Sequence, residues 1–152
     1  MRFMEIEVIS PVAEEARSLV CEFESEIAAL YPEYPIDGIV TDEFEKVDGY
    51  FVVARDADRA VGCGGLLPVD KRCVEIKRVF VREEARRRGV ARKILRHLEE
   101  EARRRGFRSI VLETGCNNIA ARALYEAEGY HPIPAFLGYV GIPISRCYAK
   151  YA

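Results

Sequence analysis

A chain of 152 residues, 49% hydrophobic and 32% charged, has the make-up of one globular domain with a substantial core, not of a disordered or membrane-spanning protein. A formal charge of -2 argues against general nucleic-acid binding, and with no leader pattern and no bilayer-length apolar run a cytoplasmic protein without a membrane partner is expected. Five scattered cysteines without a CxxC pair, and only two histidines, point to reduced thiols and no metal site.

Residues 6–9 open with a strand pattern. Ser10-Pro11 then offers an N-cap and a proline at the first helical position. Val12, Ala16, Leu19, Val20, Phe23, Ile27 and Leu30 recur at helical spacing to about Tyr31, where Pro32 and Pro35 stop the helix. Residues 34–48 are polar and irregular, with a short helical turn expected near Asp42 to Phe44. Residues 50–55 and 60–67 alternate as an antiparallel hairpin about the turn 56–59. Gly62-Cys63-Gly64-Gly65 sits inside that pattern with no Lys-Ser/Thr behind it. It therefore allows close approach of substrate or backbone and is not a phosphate loop.

After a turn at 68–71, residues 74–81 form the next strand. Val74 and Ile76 share one face, while Val79 and Val81 continue the apolar pattern at the opposite parity. A β-bulge around Lys77-Arg78-Val79 reconciles the two halves. Arg86-Arg87-Arg88-Gly89-Val90-Ala91 then leads into a helix with Val90, Ala91, Ile94, Leu95, Leu98 and Ala102 on one face. Small residues at Gly89 and Ala91 leave the first-turn amides uncovered, and three arginines add charge at the positive end of the helix dipole. The combination makes a pyrophosphate cradle. A solvated charge run is the alternative, and Gly-x-Ala at a strand-to-helix junction favours the cradle.

Glu99/Arg103, Glu100/Arg104 and Glu101/Arg105 are spaced for i,i+4 pairing along that helix, and Gly106 ends it. Residues 109–112 are a short, fully apolar run suited to a central parallel strand. Residues 119–128 make another helix, closed by Gly129, and 130–133 and 144–151 are the last strands. The order β-α-β-β-β-α-β-α-β-β, without linker or repeat, describes a single α/β domain of mixed α+β type over residues 1–152.

The stretch from Val74 to Tyr130 resembles the core of the GNAT superfamily of acyl-CoA-dependent N-acyltransferases. Its signature Arg/Gln-x-x-Gly-x-Gly/Ala is matched by Arg86, Gly89 and Ala91. A second, Asn-x-x-Ala-x-x-Leu-Tyr, is matched by Asn118, Ala121, Leu124 and Tyr125, with Glu126 and Gly129-Tyr130 behind. The resemblance implies a central mixed sheet splayed at the bulge and flanked by about four helices. It also implies acetyl-CoA as co-substrate and no metal. Arg86, Arg87, Arg88, Gly89, Val90, Ala91 and Arg92 would cradle the pyrophosphate. The pantetheine arm would pair like an added strand with Val79, Phe80 and Val81, and Asn118 would bond an amide of that arm. The Val79 amide would stabilise the acyl oxygen.

By the same resemblance Glu75 aligns with a general base and Tyr125 with a tyrosine aimed at the sulfur. Direct attack by an amine needs no nucleophilic triad, and none is evident. Blander readings stand beside these: Glu75 as a surface partner of Lys77, Tyr125 as helix packing, and Cys63, Cys116, His97 and His131 as structural residues.

The function expected is transfer of the acetyl group of acetyl-CoA to a primary amine of a small molecule or peptide. The alternative is an acyl-CoA-binding sensor without turnover. A nucleic-acid module is disfavoured by the charge balance and the lack of interleaved aromatics. Residues 22–48 and 134–145 would choose the acceptor, with Tyr31, Tyr34, Phe136 and Tyr139 as candidate pocket residues. Acids at Glu14, Glu15, Glu22, Glu24, Glu26, Glu33 and Asp37 are either a weak sign of a cationic acceptor or, preferably, a solvated helix face. A homodimer stays open.

Overall fold

The structure, a computed structural model, describes residues 4–33 and 49–152. Along the chain run β1 (Met4–Val8), α1 (Glu14–Leu30), β2 (Tyr50–Asp56), β3 (Arg59–Pro68), β4 (Cys73–Val81), α2 (Val90–Arg104), β5 (Ser109–Gly115), α3 (Ile119–Ala127), β6 (His131–Ile133) and β7 (Ser145–Tyr151). Short 3-10 turns occupy Glu83–Ala85 and Leu137–Tyr139. The element order is the expected one, and three α-helices fall among the described residues. Tyr34 and the turn expected near Asp42 to Phe44 lie outside the described residues.

All seven strands join one sheet in the order β1-β2-β3-β4-β5-β7-β6. Only the central β4–β5 pair is parallel; its neighbours are antiparallel. On one face α2 seats Val90, Ile94, Leu95, Leu98 and Ala102 against Val52, Val61, Ile76, Ile110 and Leu112. On the other, α1 seats Ala16, Leu19 and Val20 against Phe51, Val53, Cys63 and Phe80. Strand β2 supplies both cores by alternation, Phe51 and Val53 toward α1 and Val52 and Ala54 toward α2. Each such aliphatic side chain contributes roughly 1.5–3 kcal/mol on full burial.

Helix α2 crosses β3 closely. A Cβ at Gly64 would lie 2.8 Å from Ile94 and 3.1 Å from Leu98, and one at Gly62 would lie 3.0 Å from both Ile94 and the Phe80 carbonyl oxygen, so these two glycines make room for α2 side chains and, at Gly62, for the adjacent backbone as expected. Helix α1 starts three residues after its expected Pro11 start. Ser10 Oγ accepts from the Val12 amide at 3.3 Å and Ser10 O from Ala13 at 3.1 Å, which builds a turn, and the N-cap is Ala13. On α2 the expected pairing fails for Glu99 because it lies on the buried face. Glu99 accepts from Tyr130 Oη at 2.8 Å and from Lys150 Nζ at 3.0 Å. The other pairs shift to an exposed Glu100–Arg103 and to Glu101–Arg104, with the Glu101 side chain buried, leaving Glu101–Arg105 as expected.

Candidate active site

Strands β4 and β5 pair from Cys73↔Ser109 to Ile76↔Leu112 and no further. At that point β4 bulges. The β3–β4 register passes from Gly65↔Lys77 to Cys63↔Phe80, so Arg78 and Val79 face Gly64 alone, with Arg78 at φ 62°. The bulge brings Val79 and Val81 onto the α2 face with Val74 and Ile76, as the parity change requires. Beyond it the strands diverge over a cavity of about 870 Å³. Phe23 and Ile27 of α1 and Tyr31 just after it wall one side, the bulge and the start of α2 another, and Glu113 to Gly115 with Leu124 and Tyr125 the third.

One end of the cavity is built from backbone. Gly89, at φ 75°, is the N-cap of α2, and no side chain caps it. The first helical bond runs from Lys93 N–H to Gly89 O, so Val90, Ala91 and Arg92 have no acceptor for their amides within the helix. Nothing lies within 4 Å of where a Gly89 Cβ would sit; the left-handed backbone, not crowding, calls for glycine. The arginines divide their work. Arg86 lines the cavity and braces the loop, donating to Val81 O at 2.8 Å and to Glu26 at 2.5 Å while lying over the Phe80 ring. Arg87, also left-handed at φ 63°, lines the cavity, and so does Arg92, which is held by Glu128. Arg88 turns to Asp56 at 3.3 Å and does not line the cavity. A row of amides at a helix N-terminus beside Arg87 fits an anion of diphosphate size.

Midway, Tyr125 lines the cavity with its ring 5.9 Å from Tyr130, and its hydroxyl has no hydrogen-bond partner among the described residues. Burial, with a smaller push from Glu113, holds its phenol well above the usual tyrosine range, so it stays protonated and can donate. Asn118 also lines the cavity, as the N-cap of α3. Its Oδ1 accepts from Tyr31 Oη at 3.1 Å, and Tyr31 Oη accepts from the Asn117 amide at 2.8 Å. Tyr31 thus pins the β5–α3 loop from the end of α1. Any side chain at Gly115 would collide with that ring.

The other end carries the carboxylates. Glu75, the expected base, is 4% exposed, accepts from Tyr139 Oη at 2.7 Å and does not line the cavity. Glu113 does line it, two positions after Val111, the register partner of Glu75. Ser145 Oγ donates to Glu113 at 2.5 Å. Burial nevertheless holds the Glu113 carboxyl above the usual range, against the pull of Ser145, Lys77 and Arg78. The sequence offered one signal for Glu113: a lone acid just past the apolar run of β5, where its parallel partner turns away.

Other candidates recede. Burial pushes the Cys63 thiol up to about 12, which removes it as a nucleophile. His97 stacks on Tyr50, with Nε2 2.9 Å from the hydroxyl. The acids Glu14, Glu15, Glu22 and Glu26 of α1 lie exposed, as the preferred reading has it, and three of them, Glu15, Glu22 and Glu26, pair there with Arg55, Arg82 and Arg86. Among the described residues no helix is long and apolar enough to cross a membrane.

The sequence profile of the Acetyltransferase (GNAT) family matches residues 13–130. An IAA acetyltransferase of Azospirillum brasilense is 31% identical over 137 residues, covering 90% of both chains. The uncharacterized N-acetyltransferase YsnE of Bacillus subtilis is 31% identical over 138 residues, covering 90% of this chain and 91% of its own. A GNAT family acetyltransferase from Elizabethkingia anophelis, solved with acetyl-CoA bound, superposes with a TM-score of 0.73 over 98% of each chain at 16% identity, a likeness of fold. Profile, full-length relatives and fold agree with the motifs and the splayed sheet, and the chain belongs to the acetyltransferase (GNAT) family.

Proposed function

We propose that this protein transfers the acetyl group of acetyl-CoA directly to a primary amine. The observation that carries the reading is the continuous cavity that joins an open helix N-terminus to the half-buried carboxylate of Glu113 across a break in a parallel strand pair. The amides of Val90, Ala91 and Arg92, with Arg87, hold the diphosphate. The edge of β4 at Val79 to Val81 offers backbone groups to the pantetheine arm, and the Asn118 amide nitrogen reaches it from the opposite wall. Acetyl-CoA supplies an activated thioester carbonyl.

Each remaining task falls to a residue of this chain. The Val79 amide, displaced by the bulge, points a donor at the acyl oxygen. Glu113 takes the proton from the incoming ammonium, a task suited to a carboxyl whose affinity for protons is raised by burial. Tyr125 donates toward the departing sulfur. Glu75 acts through Tyr139, holding the β6–β7 connection over the slot.

Coenzyme A release measured over a panel of primary amines tests the proposal. Turnover with acetyl-CoA, lowered about 100-fold in Glu113→Gln, supports it. Binding of acetyl-CoA without turnover of any amine would replace it with a sensor.

A further inference from the structure

Residues 134–144, between β6 and β7, read Pro-Ala-Phe-Leu-Gly-Tyr-Val-Gly-Ile-Pro-Ile: eleven positions without a charge in a chain that is 32% charged. Leu137, Val140 and Ile142 are 61%, 66% and 42% exposed. Scattered exposed aliphatics are ordinary; a run of them on one short arm is not. Leu137 is also held at φ 47°, a left-handed backbone that disfavours a branched side chain, and burial does not repay it.

The arm is tied to both carboxylates. Tyr139 donates to Glu75, and Ser145, at the far end, donates to Glu113. Between these anchors lie Val140 and Ile142, and Ile144 reaches into the cavity. Phe136 packs edge-on against Tyr139 with ring centroids 5.1 Å apart, which stiffens the arm on its anchor. An amine at Glu113 has Ile144 of this arm beside it in the cavity, while Leu137, Val140 and Ile142 stand exposed on the same arm outside the lining.

We infer that the acceptor is an amphipathic amine, with a primary amino group joined to an apolar aliphatic or aryl body, and that Leu137, Val140 and Ile142 select it. The inference rests on the acetyl-transfer reading and narrows its acceptor. The apolar body, not a second copy of the chain, is the occupant because the arm is continuous with the cavity through Ile144 and bonded to the carboxylates that line and underlie it. Polyamines and other multiply charged amines would set a second ammonium against this surface at a desolvation cost.

The experiment measures kcat/KM with acetyl-CoA for ethylamine, butylamine, hexylamine, phenethylamine and putrescine, in the wild type and in Leu137→Ser/Val140→Ser. In the wild type kcat/KM should climb with chain length, by up to about fourfold per methylene, the factor carried by its full burial. Putrescine should fall below butylamine. The double variant should lower the hexylamine-to-ethylamine ratio about tenfold or more. Turnover that is flat in chain length, or highest for putrescine, overturns the inference and leaves acetyl transfer standing. A double variant that changes the oligomeric mass in solution while keeping the chain-length slope assigns the arm to self-association and overturns it as well. No turnover of any amine, with acetyl-CoA still bound, removes the underlying reading and the inference with it.

Discussion

The two ends of the cavity are made of different material. The donor end is backbone: a left-handed glycine, three first-turn amides of α2 and a displaced strand edge, with arginine side chains largely occupied in bracing. The acceptor end is side chain: Glu113 on Ser145, Glu75 on Tyr139, and an uncharged arm above them. Backbone chemistry is indifferent to the identity of most residues, so the donor end tolerates substitution so long as glycine and helix stay. Side-chain chemistry changes with one replacement, so the proposed function places specificity at the acceptor end.

That contrast is sharpest at Gly89. A glutamate there would force a side chain into a left-handed position and set a carboxylate beside the amides. Acetyl-CoA affinity should fall about 100-fold or more by calorimetric titration, since both the cradle and the dipole interaction are lost. Retained affinity would mean that the diphosphate sits elsewhere. Glu113→Gln should do the reverse, lowering kcat/KM by about 100-fold while acetyl-CoA binding changes far less. If Glu75→Gln costs more than Glu113→Gln, the base is the residue that the family resemblance favoured.

Tyr125→Phe removes a protonated hydroxyl near the sulfur path and should cost about tenfold in kcat, the worth of one hydrogen bond made in the transition state. Tyr31→Phe deletes two bonds to the β5–α3 loop. It should cost about 1–2 kcal/mol in urea unfolding and raise KM for acetyl-CoA several-fold, because Asn118 loses its brace.

The smallest effect is on pH. Burial raises the Glu113 carboxyl, so the ionised base is lost as pH falls through a value above the usual carboxylate range, and the acid limb of kcat/KM should lie there. Ser145→Ala removes a bond that favours the ionised form. The limb should therefore move further up, and a downward shift would exclude Glu113 as the titrating group.

Much of this was legible along the chain because it depends on local pattern. The bulge followed from a parity change that no straight strand can satisfy, and the structure puts it at Arg78 and Val79. Gly89 was legible for its lack of a side chain. The amphipathic stripe of α2 was too, although Glu99 interrupts it on the buried side, paired with Lys150 and Tyr130 from the far end of the chain. Periodicity records which face a residue occupies, not which distant group neutralises it.

By itself, then, the sequence determined the element order, the parallel centre, the uncapped start of α2 and the family, since each is written in spacing and small residues within one or two elements. Tertiary structure alone decided which carboxylate opens into the cavity and which lies beneath a tyrosine. Glu75 and Glu113 sit on adjacent strands, and only the divergence of β4 from β5 past Ile76 and Leu112 gives Glu113 the open side. It alone turned the acids of α1 into partners for Arg55, Arg82 and Arg86, and joined Tyr31 to Asn118 across 87 positions of sequence. Contacts between residues far apart in the chain leave no periodic trace, because each depends on how two elements are packed.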